Sequence, residues 1–182
     1  MQIMTILRLV LLISFVALTT RAQQNSHQQP PDHPRLVPPA SCPVTVASAD
    51  PFVPPSQYEL DNESFWLGTE KLWTVLRKSG VWEWAPHKQG HEDEVQRLTE
   101  KTFWMSVDFQ WAKEWRPKLK VTGRRLDGSA PRLLTTPATN AFAGPAAAML
   151  MGVYVPTSGC WEITGEYRGQ KLSFVVWLER LR

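Results

Sequence analysis

The chain has 182 residues, with 20 Lys and Arg against 17 Asp and Glu, a formal charge of +3, and two cysteines. Two of the basic residues, Arg8 and Arg21, fall in the first 22 positions, so the remainder carries 18 basic against 17 acidic residues. A formal charge near +1 gives no support for a nucleic-acid partner.

Residues 1–22 contain no acidic side chain: Arg8 precedes an apolar run over residues 9–18, and Thr20-Arg21-Ala22 offers small residues at the −3 and −1 positions. That layout predicts a secretory signal peptide cut before Gln23. The apolar run is too short for a span of about 20 residues, so no stable membrane insertion is expected after cleavage. About 160 residues then remain, enough for one domain with a hydrophobic core.

Residues 23–57 read as a proline-rich flexible segment, because nine of the fifteen prolines fall between Pro30 and Pro55 and no apolar period accompanies them. Such a stretch buries too little to offset its ordering entropy. Cys42 lies inside it. In an exported chain, two cysteines most simply pair, and a Cys42–Cys160 bridge ties the tail to the folded domain. Free thiols or an intermolecular bond are the alternatives.

The folded domain is expected over residues 58–182. Phe65-Trp66-Leu67-Gly68, Leu72-Trp73-Thr74-Val75-Leu76 and Val81-Trp82-Glu83-Trp84 are short aromatic and β-branched runs between turn residues, the mark of strands. Residues 86–100 are polar and predict a long loop, with a helical turn near residues 94–98. Further strands are expected at residues 102–107, at residues 118–124 with lysines outward, at residues 132–135 as an edge, and at residues 149–155 as a buried strand. Asp127-Gly128 is a turn signal. The chain closes on a β-hairpin turning at Gly169, with Trp161 and Ile163 on one face of its first strand and Cys160, Glu162 and Thr164 on the other. In its second strand Leu172, Phe174, Val176 and Leu178 share a face. Eight or so short strands without a sustained helical period predict an all-β sandwich.

Leu72-Trp73 with Gly80-Val81-Trp82, Lys101-Thr102-Phe103-Trp104, the stretch Val121-Thr-Gly-Arg-Arg-Leu-Asp-Gly128, and Pro156-Thr-Ser-Gly-Cys-Trp-Glu162 together resemble a group of exported bacterial proteins carrying an immunoglobulin-like antiparallel β-sandwich of unknown function. The resemblance covers residues 58–178 and implies a fold and an export route, with no activity. It implies that Trp161 replaces the corner tyrosine and Ile163 the second core cysteine of such domains. Cys160 then lies on the outer face, and its bridge pins the proline-rich tail across the outside of a sheet.

Candidate chemistry is sparse. Nine tryptophans are more than a core of this size usually needs, and Trp82, Trp84, Trp111 and Trp115 are the candidates for a ligand-binding surface, able to stack on sugar faces if exposed. His87, His91, Glu92, Asp93 and Glu94 share one loop, but His-x3-His needs a helix to converge and no second-site histidine completes a zincin pattern, so neither a metal nor another cofactor is expected. Lys113, Arg116, Lys118, Lys120, Arg124 and Arg125 form a basic set that meets an acidic polymer or protects a sheet edge. No nucleophile elbow or phosphate loop is present, leaving Glu162 and Glu166 as the carboxylate pair to examine. The expectation is a periplasmic or extracellular module without catalysis, acting through contacts with an envelope protein. A glycan- or peptidoglycan-binding module using the tryptophans is the first alternative, and a metal-dependent hydrolase around His87 and His91 the second.

Overall fold

A computed structural model describes residues 36–55, 59–84, 98–142 and 147–180, with only the backbone for Trp84, Leu98, Thr99 and Arg180. The expected signal peptide and the loop bearing His87, His91, Glu92 and Asp93 lie outside these residues. The described strands are β1 (Ser64–Gly68), β2 (Leu72–Arg77), β3 (Val81–Trp84), β4 (Leu98–Ser106), β5 (Lys120–Arg125), β6 (Leu134–Thr135), β7 (Thr139–Ala141), β8 (Ala148–Val155), β9 (Gly159–Tyr167) and β10 (Gln170–Arg180). No helix among the described residues is long and apolar enough to cross a membrane.

The strands form two sheets. One runs β1-β2-β4-β8-β6, with β7 also on β8, and the other runs β3-β10-β9-β5. All pairings are antiparallel except β3 with β10, which is parallel. Side-chain alternation explains the layering. Trp161, Ile163, Gly165 and Tyr167 of β9, with Phe174, Val176 and Leu178 of β10, face Leu72, Trp104, Met149, Met151 and Val153 of the other sheet in one core. The architecture is an all-β sandwich.

Trp104 occupies the middle of that core. Its ring lies where a Cβ on Gly165 would stand, so glycine there is what lets the indole reach across to β9. The indole is fully buried, and its N–H donates to the Thr102 hydroxyl at 3.0 Å. That hydroxyl in turn donates to the Met151 carbonyl at 3.1 Å. The chain thus supplies from β4 and β8 the acceptors that a buried indole requires.

The strap of residues 36–55 belongs to the same compact unit, Arg35–Arg182. Cys42 is bonded to Cys160 across 118 positions, and both are buried at 6% and 1% exposure. Thr45 continues the attachment: its N–H donates to the Val175 carbonyl at 2.9 Å, and its hydroxyl accepts from the Val175 N–H at 2.8 Å. Val44 then packs on Gly80, whose φ of 65° and lack of Cβ admit the strap. Cys160 and Trp177 are cross-strand neighbours on the outer face, as the alternation of the hairpin predicts, and the strap is what buries the sulfur there. A buried disulfide of this kind suits a chain that resides outside the reducing cytoplasm.

A second, smaller cluster lies on the outer face of the larger sheet. Trp73, Met105 and Ala148 are buried there, with Phe52 of the strap, Trp66, Val75 and Phe103 packed against them. Leu98, expected to end a helical turn, instead opens β4 opposite Val155, because the edge of β8 offers it a ladder partner.

Candidate functional site

Four of the tryptophans are core residues. Trp73, Trp82, Trp104 and Trp161 are all buried. Trp82, a surface candidate from the sequence, is 7% exposed and meets Phe174 edge to face at 6.0 Å, paired in register with Leu178 on the core side of the sheet. It therefore has no open face for a ligand. Trp84 ends β3, and its side chain lies outside the described ones. Trp111 and Trp115 are exposed at 38% and 69%.

Both belong to the loop of residues 107–119 between β4 and β5, and that loop is braced from three sides. At its start the Phe109 N–H donates to the Ser106 carbonyl at 3.1 Å, and the Phe109 ring is buried edge to face against Tyr167 at 6.3 Å. In its middle the Gln110 carbonyl accepts from the N–H groups of Lys113 and Glu114, each at 2.9 Å, closing a helical turn. The Glu114 carboxylate returns to accept the Gln110 N–H at 3.2 Å. The same carboxylate accepts the Tyr167 hydroxyl at 2.9 and 3.0 Å and Arg168 Nη2 at 2.8 Å. Burial, reinforced by the hydrogen bond to the Glu114 carboxylate, pushes the Tyr167 phenol up to about 12.

The third brace is one asparagine. The Asn140 N–H donates to the Trp115 carbonyl at 3.1 Å, and Asn140 Nδ2 donates to the Trp111 carbonyl at 3.1 Å. Asn140 sits on β7, so the backbone under both indoles is fastened to the larger sheet, while Glu114 fastens it to the smaller one. Phe142, two residues beyond Asn140, is exposed at φ 52° with its ring stacked on Phe103 at 5.4 Å. The loop thus presents two large apolar rings from a backbone that cannot easily rearrange.

The expected basic set divides. Arg124 pairs with Glu162, its Nε 2.7 Å from Oε2 and its Nη2 3.3 Å from Oε1. Arg125 Nε meets Asp127 Oδ1 at 2.7 Å, and that bond with the Cys160 N–H holds the Asp127 carboxyl below the usual range. Arg125 also reaches the Thr157 hydroxyl at 3.4 Å, so the stretches 121–128 and 156–162 singled out in the sequence meet beside the disulfide. Arg116 and Lys120 line a groove instead. Glu162 and Glu166 do not form a paired site, since Glu162 is taken by Arg124 and Glu166 by Lys171 at 3.4 Å.

Among the described residues no three His, Cys, Asp or Glu side chains gather as metal ligands. The sequence pointed to Trp111 and Trp115 but not to Glu114 within the loop, nor to the side chains of Asn140, Tyr167 and Arg168, which reach it from 29 to 54 positions away. No local pattern announces those pairings. Comparison of the chain with protein-family models, with curated proteins and with solved structures finds no match.

Proposed function

We propose that the chain is an exported, non-catalytic binding module with an immunoglobulin-like sandwich, and that it holds a protein partner through the β4–β5 loop. The immunoglobulin-like reading is supported by strand order. β2-β4-β8-β6 matches the four-strand sheet of such domains, β5-β9-β10 matches the three-strand sheet, and β3 extends the latter in parallel on β10. Trp161 Nε1 also donates to the Thr157 carbonyl at 2.9 Å, the role a corner tyrosine plays two residues before the second core position.

The observation that carries the functional reading is the exposure of Trp111 and Trp115 on a loop fixed by Asn140 and Glu114. Rigid aromatic anchors bind well because little entropy is lost when they dock, and tryptophan is enriched at interface hot spots. A protein fits better than a glycan, since Trp82, the candidate that would extend a stacking row, is in the core and Phe142 adds an apolar neighbour near Asn140. The test is retention of the purified chain on envelope fractions before and after protease treatment of the fraction. The reading expects protease-sensitive retention that drops at least about tenfold in Trp111→Ala/Trp115→Ala. Retention unaffected by either change contradicts it.

A further inference from the structure

A groove of about 420 Å³ opens between the β5 edge and residues 132–138, within the range of ligand-binding clefts. Arg116, Lys120 and Arg132 line it, and all three are exposed. No Asp or Glu lines it, and among the described residues none of the three cations is in an ion pair. Glu166, opposite Lys120 in the β5–β9 register, is engaged by Lys171. Three cations lining one groove whose lining holds no carboxylate favour an anion between them.

The rest of the lining narrows the class of anion. Thr122, Thr135 and Thr136 contribute hydroxyls. The Thr136 hydroxyl accepts the Gly152 N–H at 2.9 Å, while those of Thr122 and Thr135 have no partner among the described residues. Beneath them Val121, Ala138 and Met151 form a buried apolar floor. Hydroxyls above an apolar floor suit a polymer with both hydroxyl-rich edges and C–H faces. No aromatic ring lines the groove, which removes the stacking platform that a single-stranded nucleic acid uses. The far wall, β6, has only two residues to offer an added peptide strand, and on the near wall Lys120 and the charged Arg124 and Arg125 blunt pairing along the β5 edge.

We infer that this groove binds an anionic polysaccharide, the arginines and lysine taking its carboxylate or sulfate groups and the threonines its hydroxyls. Arg116 follows Trp115 directly, so the groove opens beside the aromatic loop, but the inference stands on its own residues and not on the protein-contact reading. Arginine forks suit both carboxylate and sulfate, and these two sources are separable by titration.

The experiment titrates the folded chain at low salt with polygalacturonate, dextran sulfate, uncharged dextran and polyglutamate. Binding to polygalacturonate, to dextran sulfate or to both is expected, with no binding to dextran and at least about tenfold weaker binding to polyglutamate. Arg116→Gln/Arg132→Gln lowers the affinity at least about tenfold at unchanged melting temperature, while Lys71→Gln, in the β1–β2 turn, leaves it intact. Polygalacturonate binding alone assigns a uronate polymer, and dextran sulfate binding alone a sulfated one. Absence of binding to both overturns the inference, as does equal binding to polyglutamate or an equal loss with Lys71→Gln. Binding that depends on Trp111→Ala but not on the arginines also overturns it, and leaves the aromatic loop as the binding surface.

Discussion

Gly165 and Tyr167 show how single residues set the sandwich. A methyl group at Gly165 would occupy the space of the Trp104 ring, a large side chain joining the two sheets, so Gly165→Ala forces the indole out of its place beside Thr102. Overpacking of this kind costs about 1–3 kcal/mol or more, and the loss appears in chemical denaturation. Tyr167 makes a different prediction. Its proton is held more tightly in the folded chain than in the unfolded one, so its contribution is fully present below the ordinary tyrosine range and is lost as pH rises through about 12. Denaturation midpoints measured from about pH 9 to about pH 12 fall steeply for the native chain and less for Tyr167→Phe. Gly165 and Tyr167 share the inward parity of Trp161 and Ile163, and that much was legible in the alternation. Which ring would lie on Gly165, and which carboxylate would receive the Tyr167 hydroxyl, depends on distant pairings that alternation does not encode.

Among the elements, the closing hairpin was the most legible. Its two runs alternate strictly, and Gly169 takes the positive φ of 79° that the turn demands. β8 was also readable, because its continuous apolar run is that of a strand buried on both faces. β7 was not: Thr139-Asn140-Ala141 has no apolar alternation, and its role is to pair with β8 and hold the loop with the Asn140 amide. Residues 108–116 are polar in sequence around the two tryptophans, yet Phe109, Glu114 and Asn140 give the loop a fixed form. Trp111→Ala and Trp115→Ala are therefore expected to change the melting temperature little, since exposed substitutions away from special features stay within about 0.5 kcal/mol. Asn140→Ala removes the side-chain clamp on the Trp111 carbonyl while keeping the backbone bond to Trp115, costs about 1 kcal/mol, and raises amide exchange around residues 110–113 more than at Trp115. Hydrogen exchange resolved by peptide checks this directly.

On the scale of the whole molecule, the strap and the sandwich are one object because of Cys42–Cys160 and the Thr45–Val175 ladder. Closing a loop of 118 positions constrains the unfolded chain by roughly 5 kcal/mol in the chain-entropy model. Reduction, or Cys42→Ser/Cys160→Ser, lowers stability by an amount of that order and exposes residues 36–55 to proteolysis. The prolines of this segment suggested an extended tail, and composition cannot reveal that a sulfur, a threonine and Gly80 fasten it to the sheet. The molecule thus spends its rigidity on a sandwich whose β4–β5 loop presents Trp111 and Trp115 outward. The most direct measurement of that account is photo-crosslinking from a reactive residue placed at Lys113, between the two indoles, with a second probe at Lys71 in the β1–β2 turn as reference. In native envelope material the account predicts one defined protein adduct at Lys113, identified by mass spectrometry, absent from Lys71 and lost in Trp111→Ala/Trp115→Ala. No adduct at Lys113, or the same adducts at both positions, would contradict it.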